Sequence, residues 1–314
     1  MILVCGEALM DLFLGEAAGG AALPVRATAG GSPFNVAVGL ARLGVPAGYL
    51  GGLSRDAFGD FLAARLAAEG VDTALARRSP RPTPLAIVSA DAEGQPTYSF
   101  HAENCADRDL SPGDLPAALG PGVEAVAMGS FALAVEPVGS TLLALAEREA
   151  AQRVLSLDPN LRPSVVGDLG RWRERLGHFL RLAAIVKLSS EDLETAYGEG
   201  VDAEAWAQDR LAEGTALVVL TQGGRGAIGW SSAGRVEVPA RPVEVIDTVG
   251  AGDTFHAALL ARLRHRGLLR REALAGLGME ALGDALGSAE LAAGLACARR
   301  GADLPRAAEV EAAG

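Results

Sequence analysis

The sequence predicts an α/β protein, a mostly parallel sheet covered on both faces by helices. Three observations carry that reading. Apolar runs of strand length recur along the chain: ILVC (2–5), AGYLG (47–51), AVAMG (125–129), RVLSL (153–157), AIVKL (184–188) and ALVVL (216–220). Ala- and Leu-rich stretches with helical spacing lie between them, such as DAFGDFLAARLAAEG (56–70) and STLLALAEREA (140–150). The runs are continuously apolar and do not alternate, as strands buried on both faces require.

Taken in order, ILVCGEALMDLFL (2–14) has the look of a signal segment. It lacks a basic leader, and Glu7 and Asp11 would be costly inside a bilayer, so it reads as a buried strand. Residues 13–29 are Gly/Ala-rich without a helical period. Ser32 as cap and Pro33 at the first helical position start a helix that Gly44 stops. Residues 81–104 read as a hairpin, LAIVS and PTYSF joined by DAEG. The two departures, 13–29 and 81–104, form either a small β-layer or a pair of surface loops, and leave 1–12, 30–80 and 105–314 as the core. VEVI (243–246) reads as a strand, and after it Phe255, Ala258, Leu259 and Leu263 repeat at helical spacing. AAEVEAAG (307–314) reads as a frayed helical tail.

Composition narrows the function. A chain of 314 residues, 49% hydrophobic and 21% charged, can bury a sizeable core; aromatics at 4% leave that core to Ala, Leu and Val. A net charge of −11 argues against nucleic acid, which needs clustered cations. Lys187 is the one lysine in the chain and follows AAIV, so no P-loop is present. Cys5, Cys105 and Cys297, odd in number and far apart, suit a reducing cytosol. No run is long enough to span a membrane. Neither the cysteines nor His101, His178, His256 and His265 show metal-ligand spacing.

Four strings carry chemistry. In DTVGAGDTF (247–255) a Gly-rich turn opens a helix, a natural anion site whose N–H groups suit a phosphoryl group in transfer. Asp253 is then either the base that accepts a hydroxyl proton or a plain helix cap. In GGSPFNVAVGLARLG (30–44) Asn35 falls in the first turn, where its amide can donate to and accept from a hydroxyl-rich ligand. TQGGRGAIG (221–229) contains G-x-G-x-x-G, but a second hairpin and no helix follows, so a dinucleotide fingerprint fails; a Gly-rich turn near a nucleotide stays open. LDPNLRP (157–163) closes a strand with Asp158, Asn160 and Arg162, either at a ligand site or in a Pro-flanked turn. Asp11 could hold two sugar hydroxyls or sit bonded in a turn.

GGSPFNVAVGLARLG and DTVGAGDTF, in that order, resemble the two signatures of the PfkB family of ribokinase-like sugar kinases, and the resemblance covers nearly the whole chain. It implies a three-layer ribokinase-like fold with a small β-sheet lid over the sugar, the part 13–29 and 81–104 would play, and a possible homodimer through that lid. It implies ATP-dependent phosphorylation of a sugar hydroxyl in the cytoplasm, with Mg²⁺ and with K⁺ as a candidate second cation. By resemblance Asp253 is the base and the N–H groups of Gly250, Ala251 and Gly252 form the anion hole. Asp11, Gly30, Gly31, Asn35, Phe100, Asn160 and Arg162 would bind the sugar. Ser189, Thr221, Gly223, Gly226, Gly250 and Gly252 would serve the nucleotide, and Asp247 and Thr248 a monovalent cation. Three positions depart from the family: Ser189 and Asp192 replace N-x-x-E, and Glu290 stands where Asn is common. ENCADRDL (103–110), GSFALAVEP (129–137) and LDPNLRP most resemble bacterial fructokinases. The rivals are 2-keto-3-deoxygluconate kinases, whose lids carry arginine that this chain lacks between 82 and 107, and a non-catalytic nucleotide-binding relative.

Overall fold

A computed structural model describes residues 1–15, 22–90 and 96–314. Its strands, in chain order, are β1 (Ile2–Cys5), β2 (Leu9–Leu14), β3 (Val25–Gly30), β4 (Ala47–Leu50), β5 (Gly52–Ser54), β6 (Arg77–Ser79), β7 (Leu85–Ala90), β8 (Pro96–His101), β9 (Ala125–Gly129), β10 (Val154–Asp158), β11 (Ile185–Ser189), β12 (Leu217–Thr221), β13 (Ala227–Ser231) and β14 (Gly234–Val238). The helices are α1 (Ser32–Arg42), α2 (Ala57–Ala68), α3 (Val138–Glu149), α4 (Pro163–Val166), α5 (Leu169–Leu180), α6 (Ser190–Tyr197), α7 (Ala203–Ala212), α8 (Ala251–His265), α9 (Arg271–Ala275), α10 (Met279–Cys297) and α11 (Ala307–Ala313).

The main sheet runs β14-β13-β12-β11-β10-β9-β1-β4. The six strands from β12 to β4 are parallel, and β13 and β14 close one side antiparallel. Successive side chains of a strand face opposite ways. Ile2 and Val4 therefore enter a core with α1, α2, α8 and α10, while Leu3 and Cys5 enter one with α3, α5, α6 and α7. Three layers result, filled as expected mainly by Leu, Val and Ala.

From β1 the chain goes to β4 on one side and later to β9 on the other. Such a switch opens a crevice past the strand C-termini, where open α/β sheets bind ligands. Helices α1 and α8 both start there. They pack closely because Gly39 carries no Cβ: one added there would lie 2.8 Å from Ala257 Cβ.

The second sheet has the order β3-β2-β7-β8, with β2 parallel to β7 and antiparallel to β3. Its boundaries differ from those expected. Residues 2–14 are not one strand: the chain turns at Gly6–Ala8, where the Tyr49 hydroxyl donates to the Gly6 carbonyl at 2.7 Å, and all of Leu9–Leu14 joins the small sheet. The expected DAEG turn lies outside the described residues. VEVI is not a strand either. Val245 and Ile246 are exposed, and the Ile246 and Asp247 N–H groups both donate to the Cys297 carbonyl at the end of α10. The C-terminal segment is an ordered helix, tied by Arg306 to Glu69 and by Arg299 to Glu309.

Candidate active site

Asp253 is the third residue of α8, whose N-cap is Gly250 in the left-handed region at φ 76°. A side chain there would be strained and would press its Cβ to 2.7 Å from Ala302. The first turn of a helix has N–H groups without partners four residues back, at the positive end of the helix dipole. Among the expected anion-hole donors the Ala251 N–H turns back to the Thr248 carbonyl at 3.2 Å, so Gly250 and Gly252 are the better-placed pair.

The plain-cap reading of Asp253 fails on position and burial, since the side chain is buried and engaged from another helix. The Asn35 amide donates to its Oδ2 at 2.8 Å, and Ser32 donates as well. Burial holds the Asp253 carboxyl above the usual carboxylate range; the Ser32 and Asn35 bonds pull it back, Asp158 pushes it up and Lys187 draws it down. The helix-cap pattern is displaced by one residue in α1: Gly31 is the cap, and Ser32 and Pro33 open the helix. Asn35, expected to bind sugar through its amide, gives one of its two N–H donors to Asp253, which leaves the second N–H and the carbonyl oxygen.

Asp11 projects from β2 toward the same point. A Cβ on Gly30 would lie 2.2 Å from Asp11 Oδ2, so Gly30 leaves the space this carboxylate occupies, while one on Gly31 would press on the Glu7 carbonyl at 2.8 Å. Burial foremost, with Asp253 adding to it and Arg162 opposing, raises Asp11 to about 6. Three elements distant in sequence thus converge: β2, the start of α8 and the Asn160–Arg162 turn. Asn160 takes a positive φ of 37°, and the Leu161 N–H after it donates to Asp192 at 2.9 Å. Phe100 packs edge-on against Phe131, centroids 6.3 Å apart, and lines a hollow of about 420 Å³ with Thr83, Leu85 and Glu103.

At the turn expected to serve the nucleotide, Thr221 ends β12 and Gly223 and Gly226 bracket a tight bend with positive φ. Gly226 is forced by crowding, because a Cβ would meet the Val238 carbonyl at 2.1 Å. Ser189, also expected to serve the nucleotide, has a structural task. It caps α6: its hydroxyl accepts from the Asp192 N–H at 2.9 Å and donates to Asp192 Oδ2 at 2.8 Å, while Asp192 Oδ1 takes Leu161. Both groups are committed to the backbone. Asp247 is committed too, accepting from Val249 at 3.0 Å and Gly301 at 2.8 Å, so a cation at 247–248 would have to use carbonyl oxygens. Among the described residues no three His, Cys, Asp or Glu side chains are grouped to hold a metal.

Sequence reasoning missed a buried polar chain under the site. Lys187 Nζ donates to Asp158 Oδ2 at 2.8 Å, and Ser156 Oγ bonds His256 Nε2 at 2.7 Å. Burial and Lys187 drive His256 down to about 3, so it is neutral. Glu7 and Asp107 are also buried; burial raises Glu7 to about 8 and Asp107 to about 7. A single lysine closing a buried strand was the one signal available.

A three-layer α/β fold, with a Gly-turned helix start at the strand switch and a buried carboxylate in that helix's first turn, is that of a small-molecule kinase. The pfkB family carbohydrate kinase model matches residues 1–308, and the chain belongs to that family. It is 41% identical over 287 residues to a fructokinase of Rhizobium leguminosarum bv. trifolii, covering 90% of this chain and 85% of that one. Its fold superposes on a fructokinase with bound ATP from Xylella fastidiosa, TM-score 0.91 and 29% identity, over 99% of this chain and 97% of that chain. A fructokinase double mutant from Vibrio cholerae O395 with fructose, ADP and potassium ion gives 0.86 and 28% over 99% and 97%.

Proposed function

We propose that this carbohydrate kinase transfers the γ-phosphoryl group of ATP, delivered with Mg²⁺, to a hydroxyl of D-fructose. The observation that carries the reading is the buried Asp253, held by Asn35 and Ser32 at the anion-binding end of α8 with Asp11 and Arg162 beside it. The fructose hydroxyl gives its proton to the Asp253 carboxylate as its oxygen bonds to phosphorus. The bond from phosphorus to the β,γ-bridging oxygen breaks, and ADP leaves with that electron pair. Gly250 and Gly252 N–H groups meet the charge that develops on the equatorial oxygens. Asp11 accepts from sugar hydroxyls and fixes the attacking one. Magnesium arriving with ATP would neutralise part of the phosphate charge, and a potassium ion on the 247–248 carbonyls would add to the field of the turn.

The four-stranded sheet serves as the lid in this reading, and its exposed Leu14, Leu23 and Val25 offer the surface for a homodimer, to be checked by light scattering. The place of action is the cytosol, which supplies ATP and keeps the three free thiols reduced. One observation favours the acid-sugar rival: Arg26, stacked over Phe13 at 4.3 Å, shares the Asp11 face of the small sheet. Coupled ADP-release kinetics with fructose, ribose and 2-keto-3-deoxygluconate tests the assignment. Fructose should give the highest kcat/KM; a higher value for 2-keto-3-deoxygluconate would replace the substrate.

A further inference from the structure

The single lysine of the chain lies at the anion hole. Lys187 sits on β11 and its ammonium packs under the first turn of α8, 3.3 Å from where a Gly252 Cβ would be. It is buried, and among the described residues its hydrogen-bond acceptor is Asp158 Oδ2 at 2.8 Å. An ammonium has three N–H donors, so two remain for a ligand. Asp158 is fully engaged from one side only: its Oδ1 is buried and unpartnered. A buried pair left so incompletely satisfied is a poor stabilising device. It makes sense as a cation held in place for an anion that arrives later.

We propose that Lys187 is a catalytic cation of this enzyme, donating to the transferred phosphoryl group at the Gly252 end of the anion hole, with Asp158 as the residue that positions it. The inference rests on the kinase reading of the site. Lysine suits the place better than arginine because a compact ammonium fits beneath one helical turn where a planar fork would not. The hydroxyl proton goes to Asp253, and Nζ only shifts its free donors toward the phosphoryl oxygens as charge develops on them.

K187M, D158N/K187M and D253N, assayed across pH on the sugar with the highest kcat/KM, separate this from a structural ion pair. Loss of Lys187 should lower the pH-independent plateau of kcat by about 10²–10³-fold with sugar KM within about threefold. The charges around Asp253 are Lys187, Asp158, Asp11 and Glu7, with His256 neutral. Lys187 draws the Asp253 carboxyl down and Asp158 pushes it up. The acid limb of kcat should therefore move to higher pH in K187M and return in the double variant, while the plateau stays low. A plateau restored in the double variant would overturn the proposal, because a pair that merely balances itself is dispensable together. Full activity in K187M with a collapse in D253N would overturn it and spare the site; full activity in both would sink the two together. Should K187M fail to fold, the wild type decides. With ¹⁵N-labelled lysine it has one Nζ resonance, which should shift when fructose, ADP, Mg²⁺ and aluminium fluoride are added, and an unchanged resonance refutes the contact.

Discussion

Replacing Gly30 with alanine should disable the sugar site while leaving the fold intact. The new Cβ would stand 2.2 Å from Asp11 Oδ2 and 2.9 Å from its Cγ. Ordinary contact between such atoms needs more than 3 Å, so the carboxylate must retreat by about 1 Å. The three nearest atoms are all of side chains, Asp11 foremost and the Leu9 Cδ1 at 3.2 Å, and Gly30 is not among the positive-φ glycines, so the strain falls mainly on the movable Asp11 carboxylate. A hydrogen bond from a ligand to a charged group is worth about 1.5–3 kcal/mol, which sets a loss of roughly 10–100-fold in sugar affinity. A reacting group misplaced by about 1 Å costs on the order of 10²-fold more in rate. Calorimetric titration with fructose and coupled ADP-release kinetics read the two effects, with Tm as control. G30A with unchanged sugar Kd would show that Asp11 is not on the sugar. A collapsed Tm would show that the crowding reaches the fold. Gly52 is the contrast, since its added Cβ would lie 1.7 Å from the backbone carbonyl of Ala106, and G52A should cost about 1–3 kcal/mol of stability.

Further outcomes follow from the same coordinates. Asp11 titrates at about 6 and binds hydroxyls best when ionised, so fructose Kd should rise as pH falls from 7 to 5; a flat Kd in wild type, or an equal slope in D11N, contradicts this. S189A removes a helix cap and should cost about 1 kcal/mol in urea melts with kcat within threefold; a large loss of kcat at full stability would return Ser189 to the nucleotide. Glu7 is raised to about 8, so between its unfolded value near 4.5 and about 8 the native state binds the extra proton and stability falls as pH rises. E7Q should therefore match wild type near pH 5 and gain over it toward pH 8, by up to about 1.4 kcal/mol for each pH unit crossed; parallel stability curves would contradict the assignment.

The sheet was legible because β1, β4 and β9–β12 are mostly apolar with no strict alternation, a pattern that burial on both faces imposes. The same cue misled at 243–246, where an apolar run has no neighbouring strand to pair with and lies exposed; composition carries no information about partners. The joint between β1 and β2 was lost because the turn at Gly6–Ala8 is short and apolar on both sides. Asp253 and Asp11 were readable from local pattern and resemblance. What Asn35 does for Asp253 was not, since that bond joins residues 218 apart. Ser189 was open to a better reading: S-S-E-D at 189–192 carries the spacing of a capping box. Lys187 was read for the motif it did not make, and its meaning depends on which helix start its strand passes under.

Asp253→Asn tests the account most directly. The substitution keeps the shape and the contact with α1 but removes the oxygen that takes the hydroxyl proton. The account predicts that kcat falls by about 10²–10⁴-fold while fructose Kd, measured by calorimetry on the same preparation, changes little. An enzyme that keeps near-full kcat with asparagine at 253 would contradict it and leave the residue a buried support for the start of α8.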